Sequence, residues 1–393
     1  FYSALRTYKS VPNMNFDCVL IFFKMLGFYK PLYIWLNLIG LFPCSIKSKN
    51  NEVVVKSIYF NLFPAAVFSS LILWGLYVQL VYELPNNMKT KGFILALNCA
   101  AEEIVLLISS VAGFCCAYKY RLLHINILNS FSSIINDLHN RNTQAVTKSL
   151  LVNCRKVSGI VALLICFLML ITGISFTPPW RVLMIYCSIA IPQTLQISLL
   201  GLYYVYVLMI AASMSIVRDH IERLGRGQLN YDSKTMKPKI PLMQLESSYL
   251  KILQVKEYVN CMFQIPILLV TMQCLHTIVC RIHIVYHLVM ISKDYTPIYI
   301  FYCLKWAIFQ IVKIFVLAVS GFLLKKKVIL GIHKFSQDNR FLLEVQHFSK
   351  LLQQKNIYIT VYGLFPIDPT LLYNIVAAAS IYITLLVQFD GIN

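Results

Sequence analysis

Charged residues are scarce in this chain of 393 residues, where Asp, Glu, Lys and Arg together account for 13%, about half their share in soluble globular proteins. Acidic residues are the scarcest, with 16 Asp and Glu against 35 Lys and Arg. No Cys-x-x-Cys pair occurs among the 12 cysteines, so a common sequence sign of zinc and redox sites is missing. Together these absences argue against a soluble enzyme, a secreted disulfide-stabilised scaffold and a nucleic-acid-binding protein.

Hydrophobic residues, in contrast, make up 58% of the chain and are gathered into long runs. A helix needs about 20 apolar residues to cross a bilayer. We therefore predict an all-α, polytopic membrane protein with seven transmembrane helices, at residues 57–81, 92–117, 157–176, 182–217, 261–291, 298–324 and 370–389. Pro192 is expected to kink the fourth helix. The shorter run 31–46 contains two prolines and is predicted to be re-entrant or interfacial.

The segments between the predicted spans differ in their content of basic residues. Alternate segments, beginning with the one before the first span, hold 28 of the 35 Lys and Arg residues, whereas the segments on the other side hold four. Because basic residues mark the cytoplasmic side, we predict a cytoplasmic amino terminus and an extracellular carboxyl terminus. This orientation is opposite to that of G-protein-coupled receptors and argues against that class.

The predicted organisation has four parts. Residues 1–56 form a cytoplasmic segment with the re-entrant or interfacial helix, and residues 57–324 form a six-helix transmembrane bundle with a cytoplasmic helical extension at 216–260. Apolar residues recur at helical spacing after the sixth span, which predicts a cytoplasmic anchor helix within residues 325–369. Residues 370–393 contain the seventh transmembrane helix and an extracellular tail.

The seventh span carries a polar stripe along one narrow face. At 100° per residue, the following side chains fall within about 40° of the first: Thr370, Asn374, Ala377, Ile381, Thr384 and Gln388. Polar groups on a membrane helix avoid lipid and face water or another helix. Two interpretations remain open, a pore-lining face and a helix buried by polar contacts in its own bundle.

Ionisable residues inside the spans indicate a candidate ligand pocket, because such residues usually face protein or water. Four are predicted to lie at a similar depth in the outer half of the membrane: Glu102, Glu103, Arg281 and Lys305. We predict that a polar pocket is lined by Glu102, Glu103, Gln193, Gln196, Gln273, His276, His283 and Trp306. The alternative is a set of structural ion pairs, or basic side chains that extend outward to the membrane surface.

A helical face of the fifth span combines residues that can bind zinc: His276, Cys280, His283 and His287. No carboxylate accompanies them on that helix. We therefore predict no metal and no cofactor, and interpret the face as part of the pocket or as ordinary helix packing.

The carboxyl-terminal residues resemble a known family signature. Residues 363–373 read Gly-Leu-Phe-Pro-Ile-Asp-Pro-Thr-Leu-Leu-Tyr, and Tyr382 is followed after five mostly hydrophobic residues by Gln388 and Phe389. This pattern resembles the signature of insect gustatory receptors, which is Thr-Tyr, five mostly hydrophobic residues and Gln-Phe. Ile381 stands in place of the usual Thr. Residues 31–43, from Pro-Leu-Tyr to Gly-Leu-Phe-Pro, resemble the amino-terminal segment of the same family.

The resemblance implies a taste receptor: a tastant-gated, non-selective cation channel in the plasma membrane of gustatory neurons. Four subunits, identical or including other gustatory receptors, would surround one pore that the last helix lines. A small-molecule tastant, a sugar or a bitter compound, would bind in the outer half of each bundle. The resemblance implies no enzymatic activity. A transporter, or a seven-helix protein that does not conduct ions, stays open as the alternative.

Three residues at the end of the last helix would control the pore in such a tetramer. Gln388 and Phe389 would form the narrow outer gate, where an apolar ring blocks ions by excluding water. Asp390 would add a ring of carboxylates that concentrates cations. The alternative for Asp390 is a side chain that points away from the axis into solvent.

Overall fold

Seven helices in the part of the chain that the structure describes are long and apolar enough to cross a membrane. The computed structural model describes residues 31–42, 44–49, 52–57, 62–85, 93–138, 141–173, 179–225, 242–291, 297–327 and 359–390. The candidate spans are Leu62–Tyr82, Ala96–Lys119, Ala145–Leu170, Val182–Ile221, Leu242–Met290, Ile300–Leu324 and Thr370–Gln388. These spans agree with the predicted all-α membrane fold. The agreement is expected, because the length of an apolar run can be counted from the sequence and decides whether a helix can cross a bilayer.

The described residues form ten α-helices, several of which are longer than a bilayer requires. Residues 31–38 are helical (α1), and the remaining helices are α2 (Leu62–Val78), α3 (Phe93–Lys119), α4 (Arg121–Asp137), α5 (Arg141–Gly173), α6 (Pro179–Ile185), α7 (Ile191–Gly225), α8 (Leu242–Tyr286), α9 (Pro297–Lys327) and α10 (Thr370–Asp390). Turns of π-helix extend α2, α6 and α8 at Gln79–Glu83, Tyr186–Ala190 and His287–Ile291. The second of these π-turns lies just before Pro192, so the predicted irregularity occurs as a widened turn at the junction of α6 and α7.

Two small antiparallel hairpins interrupt the helical fold, and the sequence analysis predicted neither. Strands β1 (Cys44–Lys49) and β2 (Glu52–Ser57) pair directly, and β3 (Thr360–Val361) pairs with β4 (Phe365–Pro366). The amphipathic helix α4 was also missed. Most of the predicted anchor helix, together with residues 226–241 of the predicted extension at 216–260, lies outside the described residues.

The bundle is organised around α7, which packs against α2, α3, α4, α5, α8 and α9. Within the span that contains α7, 83% of the most apolar window is buried, against 22% for α10. The last helix packs on α8 and α9. The core is therefore centred on α7, and α10 packs at its side against α8 and α9.

The segment that contains α1 is packed into the bundle through aromatic residues. The indole of Trp35 donates to Ser198 Oγ of α7 at 2.9 Å, and the Phe42 ring lies 5.0 Å from that of His124. His124 Nδ1 is 2.7 Å from the hydroxyl of Tyr206. Burial lowers the pKa of His124 to about 3, since an imidazolium ion would lose its hydration there.

One end of the bundle, which we call the basic end, holds Lys119, Lys148 and Lys251. There α4 packs against α8, and Lys251 Nζ lies 2.6 Å from Asp137 Oδ2. The side-chain amide of Gln244 donates to the Asp137 carbonyl at 2.9 Å. These contacts join the extramembrane start of α8 to α4. The charge distribution predicts that the basic end is cytoplasmic.

A close backbone contact joins α9 to the segment that leads into α10. A Cβ atom at Gly321 would lie 1.5 Å from the Ile367 carbonyl oxygen, so only glycine fits between the two. Asp368 Oδ1 then accepts a hydrogen bond from the Thr370 amide at 2.8 Å and also from its hydroxyl. An acidic residue that caps backbone N–H groups stabilises a helix start. The start of α10 is therefore fixed directly against α9.

Candidate functional site

A fully buried lysine lies at the centre of the bundle. Lys313 on α9 is 2% exposed. Its Nζ donates to the side-chain oxygens of Gln193 and Gln196 on α7, both at 2.7 Å, and of Gln273 on α8 at 3.2 Å. No ion pair of this ammonium group is found in the described part of the chain. Three amide oxygens therefore replace water around a charge that would otherwise be costly in the membrane.

An ion pair between α3 and α8 forms the second centre of the site. Arg281 Nη2 lies 2.9 Å and 3.2 Å from the two carboxylate oxygens of Glu102. The hydroxyl of Thr277 donates to the same carboxylate at 3.0 Å. Glu102 is 8% exposed, so the pair lies inside the bundle. Arg281 therefore forms a buried ion pair and does not extend to the membrane surface.

Hydrogen bonds connect the two centres into one network. The amide nitrogen of Gln273, which receives the lysine hydrogen bond on its oxygen, donates to Thr277 Oγ1 at 2.8 Å. The amide nitrogen of Gln196 donates to Ser109 Oγ at 2.5 Å. The network therefore runs without interruption from Arg281 through Glu102, Thr277 and Gln273 to Lys313 and the α7 glutamines. Such networks fix the relative positions of the helices that contribute to them.

The other predicted pocket residues flank this network. Glu103 accepts a hydrogen bond from the amide of Gln79, next to α2. His276 Nε2 lies 3.3 Å from the Asn98 carbonyl oxygen of α3. His283 and Trp306 are 1% and 3% exposed. The structure thus links Glu102, Gln193, Gln196 and Gln273 through Thr277 and Lys313, whereas the other four predicted residues are not part of these hydrogen bonds. In the described ranges no group of three or more His, Cys, Asp or Glu side chains is placed to hold a metal.

The last helix has two faces of different character. Leu371, Ile375, Ala379 and Leu386 are buried, and at 100° per residue they centre roughly 145° from Thr370. The six residues of the polar stripe, from Thr370 to Gln388, are all exposed. The stripe therefore points away from the bundle. Phe389 and Asp390 continue the helix, but their side chains lie outside the described set.

A comparison with known protein families finds one whose model matches nearly the whole chain. Residues 29–393 match the family described as 7tm chemosensory receptor. The chain belongs to this family. Membership confirms the predicted seven-helix insect chemoreceptor class and places the receptor among membrane receptors, not enzymes.

Solved structures similar to the receptor support the same fold. The insect olfactory receptor OR5 from Machilis hrabei matches with a TM-score of 0.68 at 13% sequence identity, over 94% of this chain and 99% of that one. The same olfactory receptor in complex with eugenol matches with a TM-score of 0.64 at 14% identity, over the same shares of the two chains. A comparison with curated proteins finds no match. At these identities the likeness demonstrates a shared fold.

Buried N–H donors next to the network have no acceptor among the described residues of the receptor. They are Trp306 Nε1, Gln310 Nε2 and Arg281 Nε. Trp306 also lies in an aromatic group, with its ring 6.2 Å from Tyr302 and 5.8 Å from Phe309. Buried donors without acceptors are costly. A bound molecule with acceptor oxygens would satisfy such donors.

The sequence analysis did not select several residues of the network in the receptor. Lys313, Thr277 and Ser109 were not among the predicted pocket residues. For Lys313 the signal was available, because an ionisable residue near the middle of a membrane span is a functional candidate by its cost alone. Thr277 and Ser109 carry no comparable signal, since hydroxyl side chains on membrane helices commonly bond to their own backbone.

Proposed function

We propose that the receptor is a gustatory receptor that acts as a tastant-gated, non-selective cation channel, with the last helix of four subunits around one pore. The observation that carries this proposal is the exposed polar stripe of α10, which lies opposite the face that packs on the bundle. The exposed side-chain amides of Asn374 and Gln388 need water or a partner helix, because lipid offers no hydrogen-bond partner to them. A tetramer around an aqueous pore, formed by this chain alone or together with other gustatory receptors, would supply both the water and the partner helices.

The gate in this proposal lies near the end of α10, at Gln388 and Phe389, with Asp390 at the outer mouth. This placement requires the carboxyl terminus to be extracellular, as the basic residues of the loops predict. An epitope tag after Asn393 should therefore be stained on intact cells, and a tag before Phe1 should be stained only after permeabilisation. The reverse staining would contradict both the orientation and the gate.

The proposed ligand is a small-molecule tastant, a sugar or a bitter compound, bound beside the Glu102 network. The bound eugenol of the olfactory receptor OR5 supports a small molecule as the ligand class. Within this site Trp306 offers an aromatic surface and an indole N–H. Glu102 is held by Arg281, and Gln193 and Gln273 are held by Lys313. Plasma membranes of gustatory neurons are the expected location.

Two adjacent residues of α10 provide a matched test of the pore. Ala377 lies on the stripe, whereas Val376 is 59% exposed but lies about 100° away. Each is changed to cysteine in a Phe389→Ala background, which is expected to leak without ligand because the apolar constriction is lost. A charged thiol reagent should change the current through Ala377→Cys channels and leave Val376→Cys and the parent channel unaffected.

The outcomes of this test separate the candidate functions. Equal modification of both cysteine variants would contradict the proposed pore face. A Phe389→Ala chain that reaches the cell surface without leaking would move the gate elsewhere on the stripe. If neither the leak nor any current evoked by a panel of sugars and bitter compounds appears in cells that express only this chain, a transporter or a receptor that needs partner subunits is favoured.

The ligand site is tested with a conservative pair of tryptophan variants. Trp306→Phe keeps an aromatic ring and removes the buried N–H, whereas Trp180→Phe makes the same change at a side chain that is 52% exposed. For a tastant that evokes current, Trp306→Phe should raise the half-maximal concentration about five-fold, the effect of losing a hydrogen bond of about 1 kcal/mol. An unchanged dose–response in Trp306→Phe, Glu102→Gln and His283→Ala would place the ligand elsewhere.

A further inference from the structure

A groove between α5, α7 and α9 forms a concave surface that meets the hydrogen-bonded network only at Lys313. It encloses a cavity of ≈ 370 Å³. Its walls are mostly aliphatic and aromatic, and polar side chains mark the two ends. Asn153 and Lys156 of α5 line one end, and Lys313 of α9 lines the other.

The groove has the depth of one leaflet of a bilayer. On α9 its lining residues run from Lys313 to Leu323, which at 1.5 Å per residue is about 15 Å. Half of a hydrocarbon core about 30 Å thick is the same length. Lys313 also lies near the middle of the span Ile300–Leu324. The groove therefore extends from about the middle of the membrane to the basic end.

The groove opens sideways toward the surrounding membrane. Two of its lining side chains, Ile160 and Phe315, are 53% and 56% exposed, so the groove is accessible between α5 and α9. At the deep end, the Lys313 ammonium is held by the three glutamines, and its aliphatic stem is left to form the wall. At the basic end, Lys156 is exposed. A hydrocarbon chain that enters the groove would therefore contact apolar walls, and the polar end of the same molecule would lie beside Lys156.

We propose that this groove binds an anionic phospholipid from the leaflet at the basic end, with one acyl chain along α5 and α9. The lipid phosphate would lie at Lys156 Nζ, and the Asn153 amide could donate a second hydrogen bond. Basic side chains at the edge of a groove between membrane helices favour anionic headgroups, at about 1 kcal/mol for each Lys. The apolar acyl chain would pack against the aliphatic and aromatic walls of the groove.

The headgroup is tested on the full-length chain, purified in detergent from membranes supplemented with phosphatidylserine. Lys156→Gln removes the cation at the basic end of the groove, and Lys148→Gln removes an exposed cation of the same helix that does not line the groove. Titration with phosphatidylserine should give a dissociation constant about five-fold weaker for Lys156→Gln, which corresponds to about 1 kcal/mol. Lys148→Gln should bind like the parent, and phosphatidylcholine should give no difference among the three chains.

The acyl chain is tested with variants that fill the groove. Val319→Trp places a large ring in the groove, and Ile311→Trp adds the same ring to an exposed position of α9 outside it. Mass spectrometry after size-exclusion chromatography should detect several-fold less retained phosphatidylserine with Val319→Trp than with Ile311→Trp. The melting temperature of both variants shows that they are folded.

Three results would overturn the proposal. One is equal phosphatidylserine binding by Lys156→Gln and the parent. Another is an equal loss in Lys148→Gln, which would indicate general attraction to a basic surface. The third is loss of a higher oligomer in Val319→Trp without loss of lipid, which would assign the groove to a second copy of the chain. None of these readouts depends on ion conduction, so the lipid site and the proposed channel can fail separately.

Discussion

Polar residues in the bundle core and polar residues on α10 are similar in chemistry and opposite in their surroundings. In the core, the charges of Glu102 and Lys313 contact side chains from other helices of the same chain. On α10, the Thr384 hydroxyl donates to the Ser380 carbonyl of its own helix, and Asn374 is exposed. The core charges are therefore completed by other helices, whereas on α10 the hydroxyl bonds to its own helix and the exposed Asn374 amide is left for contacts outside the chain. Stability and assembly are thereby assigned to different surfaces.

The largest effect is expected from breaking the core ion pair. Arg281→Ala leaves the Glu102 carboxylate buried without its partner, which costs about 3–5 kcal/mol. The control is Lys305→Ala, because this lysine contacts the Tyr302 ring at 5.3 Å and a partly exposed cation–π contact contributes only about 0.5–1 kcal/mol. Thermal unfolding of the detergent-purified proteins measures the difference. Equal melting temperatures for the two variants would mean that the pair is not structurally important.

A smaller loss is expected where α9 meets the start of α10. Gly321→Ala forces the Ile367 carbonyl away from the helix, and such overpacking costs about 1–3 kcal/mol. Gly159→Ala is the matched control, because a Cβ there meets nothing within 4 Å and alanine is favoured in helices by about 0.5–1 kcal/mol. In the same thermal assay, Gly321→Ala should have a lower melting temperature than the parent, and Gly159→Ala should have an equal or higher one. A tolerated Gly321→Ala would show that the contact is loose.

The pH dependence of stability should report on the buried His124. Its pKa is lowered to about 3 in the folded protein, so below pH 6.5 the unfolded chain gains a proton that the folded chain excludes. Stability is full above pH 6.5 and is lost as the pH falls, by about 1.4 kcal/mol per unit for one group. His124→Phe should remove this slope between pH 7.5 and 5.5. A slope that is the same in the variant and the parent would contradict a neutral, buried imidazole.

The smallest effect on stability is expected from the polar stripe. Exposed substitutions that disturb no special contact usually change the free energy of unfolding by less than about 0.5 kcal/mol. Asn374→Ala and Thr384→Val should therefore melt close to the parent while they change ion conduction. If either is destabilised as much as Arg281→Ala, the stripe belongs to the packing of the fold and the contrast with the core is lost.

The fold was predictable from the sequence to the extent that the bilayer constrains it. Hydropathy identifies the seven spans, because each must be long enough to cross the membrane. The buried and exposed faces of α10 follow from helical periodicity, since Ile375 and Asn374 lie on different sides of the same helix. The hairpin β1–β2 and helix α4 lie outside the candidate spans, where no comparable constraint applies, and both were missed.

The candidate site was predictable in composition but not in pairing. Depth along the spans brought Glu102, Gln193 and Gln273 into one group. It could not show that Lys313 is their common partner, because this lysine is 120 residues from Gln193 and 40 from Gln273. Depth gives the level of a side chain and leaves its direction around the helix axis open. That direction depends on how all the helices pack together, which no single segment encodes.

The separation of Glu102 from Arg281 has a consequence for biosynthesis. The two residues are 179 positions apart, so at about 5–20 residues per second the arginine is made roughly 10–40 s after the glutamate. During that interval α3 holds acidic side chains in or near the membrane before their partner exists, and a charge at the centre of a helix costs about 2.5–3.5 kcal/mol during insertion. The insertion of the nascent α3 is therefore less favourable until α8 arrives. An ion pair that stabilises the finished receptor thus couples the insertion of α3 to the later synthesis of α8.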